Sequence, residues 1–142
     1  MEYTDRFEKE ILTRTLNIWD NYSGPFEETL FLNLCVGLLI IPKESLYNQL
    51  STEEVSIANW DIDPSWITFE KKNDKTVKTT IRHIRNAIAH NGIAYVGQNG
   101  VITCIEIEDK DFGQQTSFTM SLKMSNFKDF VLKVARLALS LL

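Results

Sequence analysis

Apolar residues recur with helical spacing in four stretches of the chain, and this periodicity predicts four long helices. The stretches are about 3–21, 26–40, 75–90 and 125–142. The second stretch is apolar on nearly every face, which is typical of a helix at the centre of a bundle. Residues 43–58 predict one or two short helical turns, and residues 59–70 predict a loop.

The ends of these helices coincide with residues that favour a break. Pro25 is suited to the first turn of the second helix, and Pro42 stops that helix because it pushes the preceding residue out of the helical region. Asn91-Gly92 is a typical C-terminal stop for the third helix. Ser125 or Asn126 is expected to cap the last helix.

The period of the pattern changes to two after residue 92, which predicts β-structure. The predicted strands are 93–96, 101–108 and 116–123, and Asn99-Gly100 is a strong hairpin signal between the first two. The sequence therefore predicts a single domain over residues 1–142 that is mainly α-helical. It would be a helical bundle with a small antiparallel β-meander at about 93–123, inserted before the last helix.

The composition, 44% hydrophobic and 24% charged, is that of a folded globular protein. Cys35 and Cys104 are expected to be reduced and buried, since neither belongs to a CxxC pair. The longest apolar run, 30–41, is too short to span a bilayer, and the N-terminal residues do not resemble a signal peptide. We therefore expect a cytoplasmic protein with no membrane partner.

The charge of the chain is distributed unevenly. The net charge is −4, but residues 71–90 hold six Lys or Arg and one Asp, whereas residues 1–70 hold four Lys or Arg and 13 Asp or Glu. Both histidines lie in the basic segment. A local positive field can gather a polyanion even when the whole protein is acidic, although a solvated lysine-rich surface is an equally simple interpretation.

The third predicted helix places several polar side chains on one face. His83 and His90 differ by only about 20° around the helix axis, and Asn86 lies between them. Arg82 borders this face, and Arg85 lies on its shoulder. The apolar stripe of Val77, Ile81, Ile84 and Ile88 points another way. We therefore expect the polar residues to face solvent or a partner.

These residue types suit the cleavage of RNA. Histidine can both take and give a proton near neutral pH, and an arginine fork fits phosphate oxygens. RNA supplies its own nucleophile, the 2′-hydroxyl, so the reaction needs no metal. In this hypothesis His90 is the general base or acid, Arg85 clamps the phosphate and Asn86 orients the ring or the phosphate. Lys72, Lys75, Lys78, Arg82 and His83 are the candidate RNA-binding residues.

The segment Arg85-Asn86-x-x-x-His90, with four residues between arginine and histidine, resembles the motif of HEPN domains. The apolar helix over 31–44 is similar to that of a small bacterial HEPN branch. The resemblance implies a helical bundle with the activity of a metal-free endoribonuclease that leaves a cyclic phosphate, often in toxin–antitoxin, phage-defence or abortive-infection systems. It also implies a homodimer in which both Arg85 and both His90 residues build one composite cleft, and an antitoxin as a possible partner.

Two other interpretations of the same helix remain open. The chain could be a HEPN-like module that binds RNA or a protein without cleaving, or a purely structural protein. Other chemistries fit poorly: the histidines have no paired carboxylate or thiolate for zinc, and no glycine-rich phosphate loop is present, so no cofactor is expected. Trp60 and Trp66 are expected to pack on the core, with base stacking as the alternative.

Overall fold

The computed structural model describes residues 7–42, 44–50, 52–69, 74–111 and 113–142. Lys72 and the start of the first predicted helix lie outside these residues. No helix within the described ranges is both long enough and apolar enough to cross a membrane.

The helices predicted from periodicity are present, with short ones between them. They are α1 (Phe7–Asn21), α2 (Glu27–Cys35), α3 (Glu44–Tyr47), α4 (Ile57–Trp60), α5 (Val77–Ala89) and α6 (Met124–Ser140). A π-helical segment, Val36–Ile40, continues α2. The predicted cap of the last helix is wrong: α6 starts at Met124 without a side-chain cap, and Asn126 Nδ2 instead donates to Asp61 O at 2.9 Å.

Four antiparallel strands form one sheet in the order β1-β4-β3-β2. They are β1 (Ile67–Phe69), β2 (Ile93–Gln98), β3 (Val101–Lys110) and β4 (Thr116–Lys123). The first strand was predicted as loop. It is only three residues long, too short for an alternating pattern, and it exists because Ile67 pairs with Met120 and Phe69 with Phe118.

The prediction of a mainly α-helical bundle with an inserted meander is therefore wrong, and the fold is mixed α/β. The sheet is a layer of the core, because its inward-facing side chains on β3 and β4 are fully or almost fully buried. They are Ile105, Ile107, Phe118, Met120 and Leu122. α5 packs against β3, and α6 packs against β3 and β4. The helix that carries the motif, α5, thus contacts the sheet as well as the π-helical segment and α3.

The helical side of the core is centred on Phe31. Its ring meets Trp19 of α1 edge-on at 4.9 Å and Phe127 of α6 at 6.1 Å between centroids. Trp60 is buried as predicted, and Trp66 is half-buried against the core.

The two cysteines differ in their surroundings. Cys35 is buried, and burial raises the pKa of its thiol to about 12. Cys104 is only half-buried, so the expectation that both are buried holds for Cys35 alone.

Candidate functional site at the end of α5

The C-terminus of α5 turns sharply and joins the helix to the sheet. The N–H of Gly92 donates to Ala87 O at 2.6 Å and that of Asn91 to Ile88 O at 3.4 Å. Asn91 has a φ of 60°, the left-handed conformation expected at this position of a Schellman turn. The stop predicted at Asn91-Gly92 is thus confirmed, and it leaves His90 as the last residue before the turn.

Gly92 lets the chain approach β3 closely. A Cβ atom at this position would lie 2.0 Å from Glu108 O, which is impossible for any side chain. The Glu108 N–H donates to Gly92 O at 2.8 Å. This contact fixes the end of α5, and with it the last residue of the motif, His90, against β3.

A cavity of about 760 Å³ opens between the end of α5 and the β3–β4 hairpin. Asn86 and His90 line it from the helix, and both residues are exposed. From the sheet it is lined by Glu108, Asp109, Lys110 and Asp111. The cavity therefore combines an imidazole, an amide and an ammonium group with three carboxylates.

Arg85 does not line this cavity, because it leaves α5 in a different direction. Its Nε donates to Leu39 O in the π-helical segment at 2.6 Å, and its guanidinium lies 5.0 Å from the centre of the Tyr47 ring. The Tyr47 hydroxyl donates to Leu38 O, and burial raises the pKa of Tyr47. Arg85 is half-buried and firmly placed, but within one chain it points away from the groups around His90.

The prediction that His83 faces solvent or a partner, as a candidate RNA-binding residue, is wrong. The side chain is buried beneath the sheet, stacked on Phe118 at 4.6 Å and met edge-on by Phe69. Helical periodicity carried no information about strands that cover this face. Burial lowers the pKa of His83, and the hydrogen bond to Asp109 offsets only part of that effect.

Asp109 is a site residue that the sequence did not reveal. Its carboxylate is 6% exposed and lies 2.7 Å from His83 Nδ1. The same oxygen, Oδ2, accepts from Asn86 Nδ2 at 3.3 Å. Asp109 falls where the sequence predicted a loop, so only the pairing of β3 with β4 places it under α5. It holds the amide of Asn86 at the cavity wall.

The basic residues of α5 and its approach differ in their surroundings. Lys75 Nζ donates to Pro64 O at 2.9 Å, and Lys78 is half-buried, while Arg82 is exposed. Lys110, which the sequence did not single out, lies 3.4 Å from Glu108 and is half exposed at the cavity. Within the described ranges, no three His, Cys, Asp or Glu side chains come together in a group suited to a metal ion.

Comparison with known proteins gives one finding. A family model described as HEPN pEK499 p136 matches residues 1–141. No curated protein and no solved structure matches the chain.

Proposed function

The chain belongs to the HEPN pEK499 p136 family, and from this membership we propose that it is a metal-independent endoribonuclease that cleaves single-stranded RNA. The family points to a nuclease or an RNA-binding type of function. The observation that carries the proposal is the arrangement of the motif: the exposed His90 ring stands beside Asn86 in a cavity, at the end of a helix that also carries Arg85.

The reaction follows from the chemistry of these groups. His90 removes the proton of a 2′-hydroxyl, and the oxygen attacks the adjacent phosphorus. The 5′-oxygen of the next nucleotide leaves and takes up a proton from a protonated histidine, so the products are a 2′,3′-cyclic phosphate and a 5′-hydroxyl. In this mechanism Asn86, whose amide donates to Asp109, orients the phosphate or the ring, and Lys110 adds a positive charge at the same cavity.

Because Arg85 points away from the His90 cavity of its own chain, the proposal includes a homodimer. Its contacts with Leu39 and Tyr47 keep it away from the cavity of its own chain. Two α5 helices that meet in a homodimer would bring both Arg85 and both His90 residues to one cleft. A role in toxin–antitoxin or phage-defence systems, with an antitoxin as partner, belongs to the same proposal.

The test is cleavage of single-stranded RNA in EDTA, with the products identified by mass spectrometry. His90→Ala is expected to lower the rate at least about a hundredfold, since it removes the proton-transfer group. Arg14→Ala, which removes an exposed cation on α1, is the matched control and should cleave as the wild type does. Undiminished cleavage by a folded His90→Ala protein would refute the assignment.

A non-catalytic module that binds RNA or a protein is the second candidate. The carboxylates of Glu108, Asp109 and Asp111 weigh against cleavage at His90, because they line its cavity with negative charge that opposes a phosphate. RNA or a protein would then be bound by another surface. In this case RNA is retarded in a gel without any product after long incubation. The affinity then falls steeply with salt if phosphate contacts dominate.

A further inference from the structure

A second cavity, of about 620 Å³, lies on the outer face of the sheet. It shares Asn91, Gly92 and Glu108 with the His90 cavity, so the two cavities are adjacent. The tight contact between Gly92 and Glu108 of β3 lies where they meet.

The floor of this second cavity is set by the strand register. Thr68, Thr119 and Glu108 lie opposite one another across β1, β4 and β3. One step along, Ser121, Glu106 and Ala94 form a second row across β4, β3 and β2. These six side chains point away from the buried face, because their neighbours in sequence on β3 and β4 fill the core. The floor is thus made of hydroxyls, two carboxylates and one small residue.

The two cavities differ in their donors rather than in their carboxylates. The His90 cavity is lined by three carboxylates but also by the imidazole of His90, the amide of Asn86 and the ammonium of Lys110, which can donate to a phosphate. No Lys or Arg is found among the described residues that line the sheet cavity. Glu106 offers a hydrogen-bond acceptor there, whereas the carboxylate of Glu108 lies 3.4 Å from Lys110. A phosphate is repelled from such a floor, while a group with N–H donors is attracted to it.

We propose that the outer face of the sheet is a nucleobase site that selects bases with an exocyclic amino group over uracil. Glutamate accepts from the amino group of cytosine, where uracil presents a carbonyl oxygen. Glu106 supplies the acceptor, and Trp66 and Ala94 are among the other residues that line the cavity. This inference rests on the proposed function, since it names the base next to the phosphate held at His90.

The experiment measures binding rather than cleavage. Five-nucleotide oligomers with 2′-O-methyl sugars cannot be cleaved, so the wild-type protein is used with an oligo-cytidine and an oligo-uridine labelled for fluorescence anisotropy. The cytidine oligomer is expected to bind about tenfold more tightly. Glu106→Ala should reduce this ratio to below about twofold, whereas Glu10→Ala, which removes an equally exposed glutamate on α1, should leave the ratio unchanged.

The results separate this inference from the nuclease proposal. Equal affinity for the two oligomers, a preference that survives Glu106→Ala, or no binding of either oligomer overturns the nucleobase site. If the protein cleaves RNA without any preference between the bases, only the nucleobase site fails. If it prefers cytidine but produces no cyclic phosphate, only the nuclease proposal fails.

Discussion

Two interfaces within the core of this molecule are built from different kinds of side chain. Around Phe31, the buried side chains of α1, α2 and α6 are apolar except for Thr15. Partly exposed ion pairs, Arg136 with Asp20 and Lys128 with Glu27, also join α6 to α1 and α2. Where α5 meets the sheet, the buried groups include His83, Asp109 and the hydroxyl of Thr80, which has no hydrogen-bond partner in the described structure. An apolar interface stabilises the fold, whereas polar groups lower the gain from burial and fix directions in space. We therefore expect the interface around Phe31 to contribute more to stability, and the interface between α5 and the sheet to position the residues of the site.

The largest expected effect lies in the helical interface. Phe31→Ala should lower the free energy of unfolding by about 3–5 kcal/mol, because it leaves a cavity beside Trp19 and Phe127. Urea denaturation measures the change. Phe26→Ala is the matched control, since that ring is 75% exposed and its loss should cost less than about 0.5 kcal/mol. Equal losses in the two variants would contradict a core centred on Phe31.

Where α5 meets the sheet, we expect a smaller loss of stability than at Phe31, together with a loss of RNA cleavage. Asp109→Ala should cost about 1–3 kcal/mol, because His83 is left buried without its partner. It also frees the amide of Asn86, so RNA cleavage per folded molecule should fall as well. Asp129→Ala, an exposed acid on α6, is the control for charge and should change neither quantity. Full cleavage by folded Asp109→Ala would show that Asn86 needs no support.

The smallest expected effect is a dependence of stability on pH. Because burial holds the pKa of His83 below its unfolded value, the unfolded chain binds more protons once the pH falls below about 6.5. Stability therefore rises with pH through this window and is lost on acidification, by at most about 1.4 kcal/mol per pH unit from this group. In urea titrations between pH 7.5 and 5.5, His83→Gln should show a shallower decline than the wild type. An identical decline would mean that another group is responsible.

The same contrast explains how far the sequence could predict the molecule. The long helices and the strands β3 and β4 follow from local periodicity, because one face of each is buried. β2 has no buried residue, and it was identified from its apolar run and the Asn99-Gly100 hairpin signal. β1 could not be found, since three residues carry no period and its existence depends on β4. The burial of His83 and the role of Asp109 depend on contacts across 26 positions in the chain, which no local pattern encodes. Arg85, Asn86 and His90 were identifiable because their spacing is local, but the separation of Arg85 from the cavity was not.

The π-helical segment that continues α2 has a consequence for the evolution of the chain. Its backbone bonds span five residues, as from the Ile41 N–H to Val36 O, so the segment contains more residues per turn than an α-helix. Loss of a single residue there would restore a regular helix and rotate the Leu39 carbonyl away from the arginine that it anchors. The direction of one side chain in the motif thus depends on a length difference of one amino acid, 46 positions earlier in the sequence.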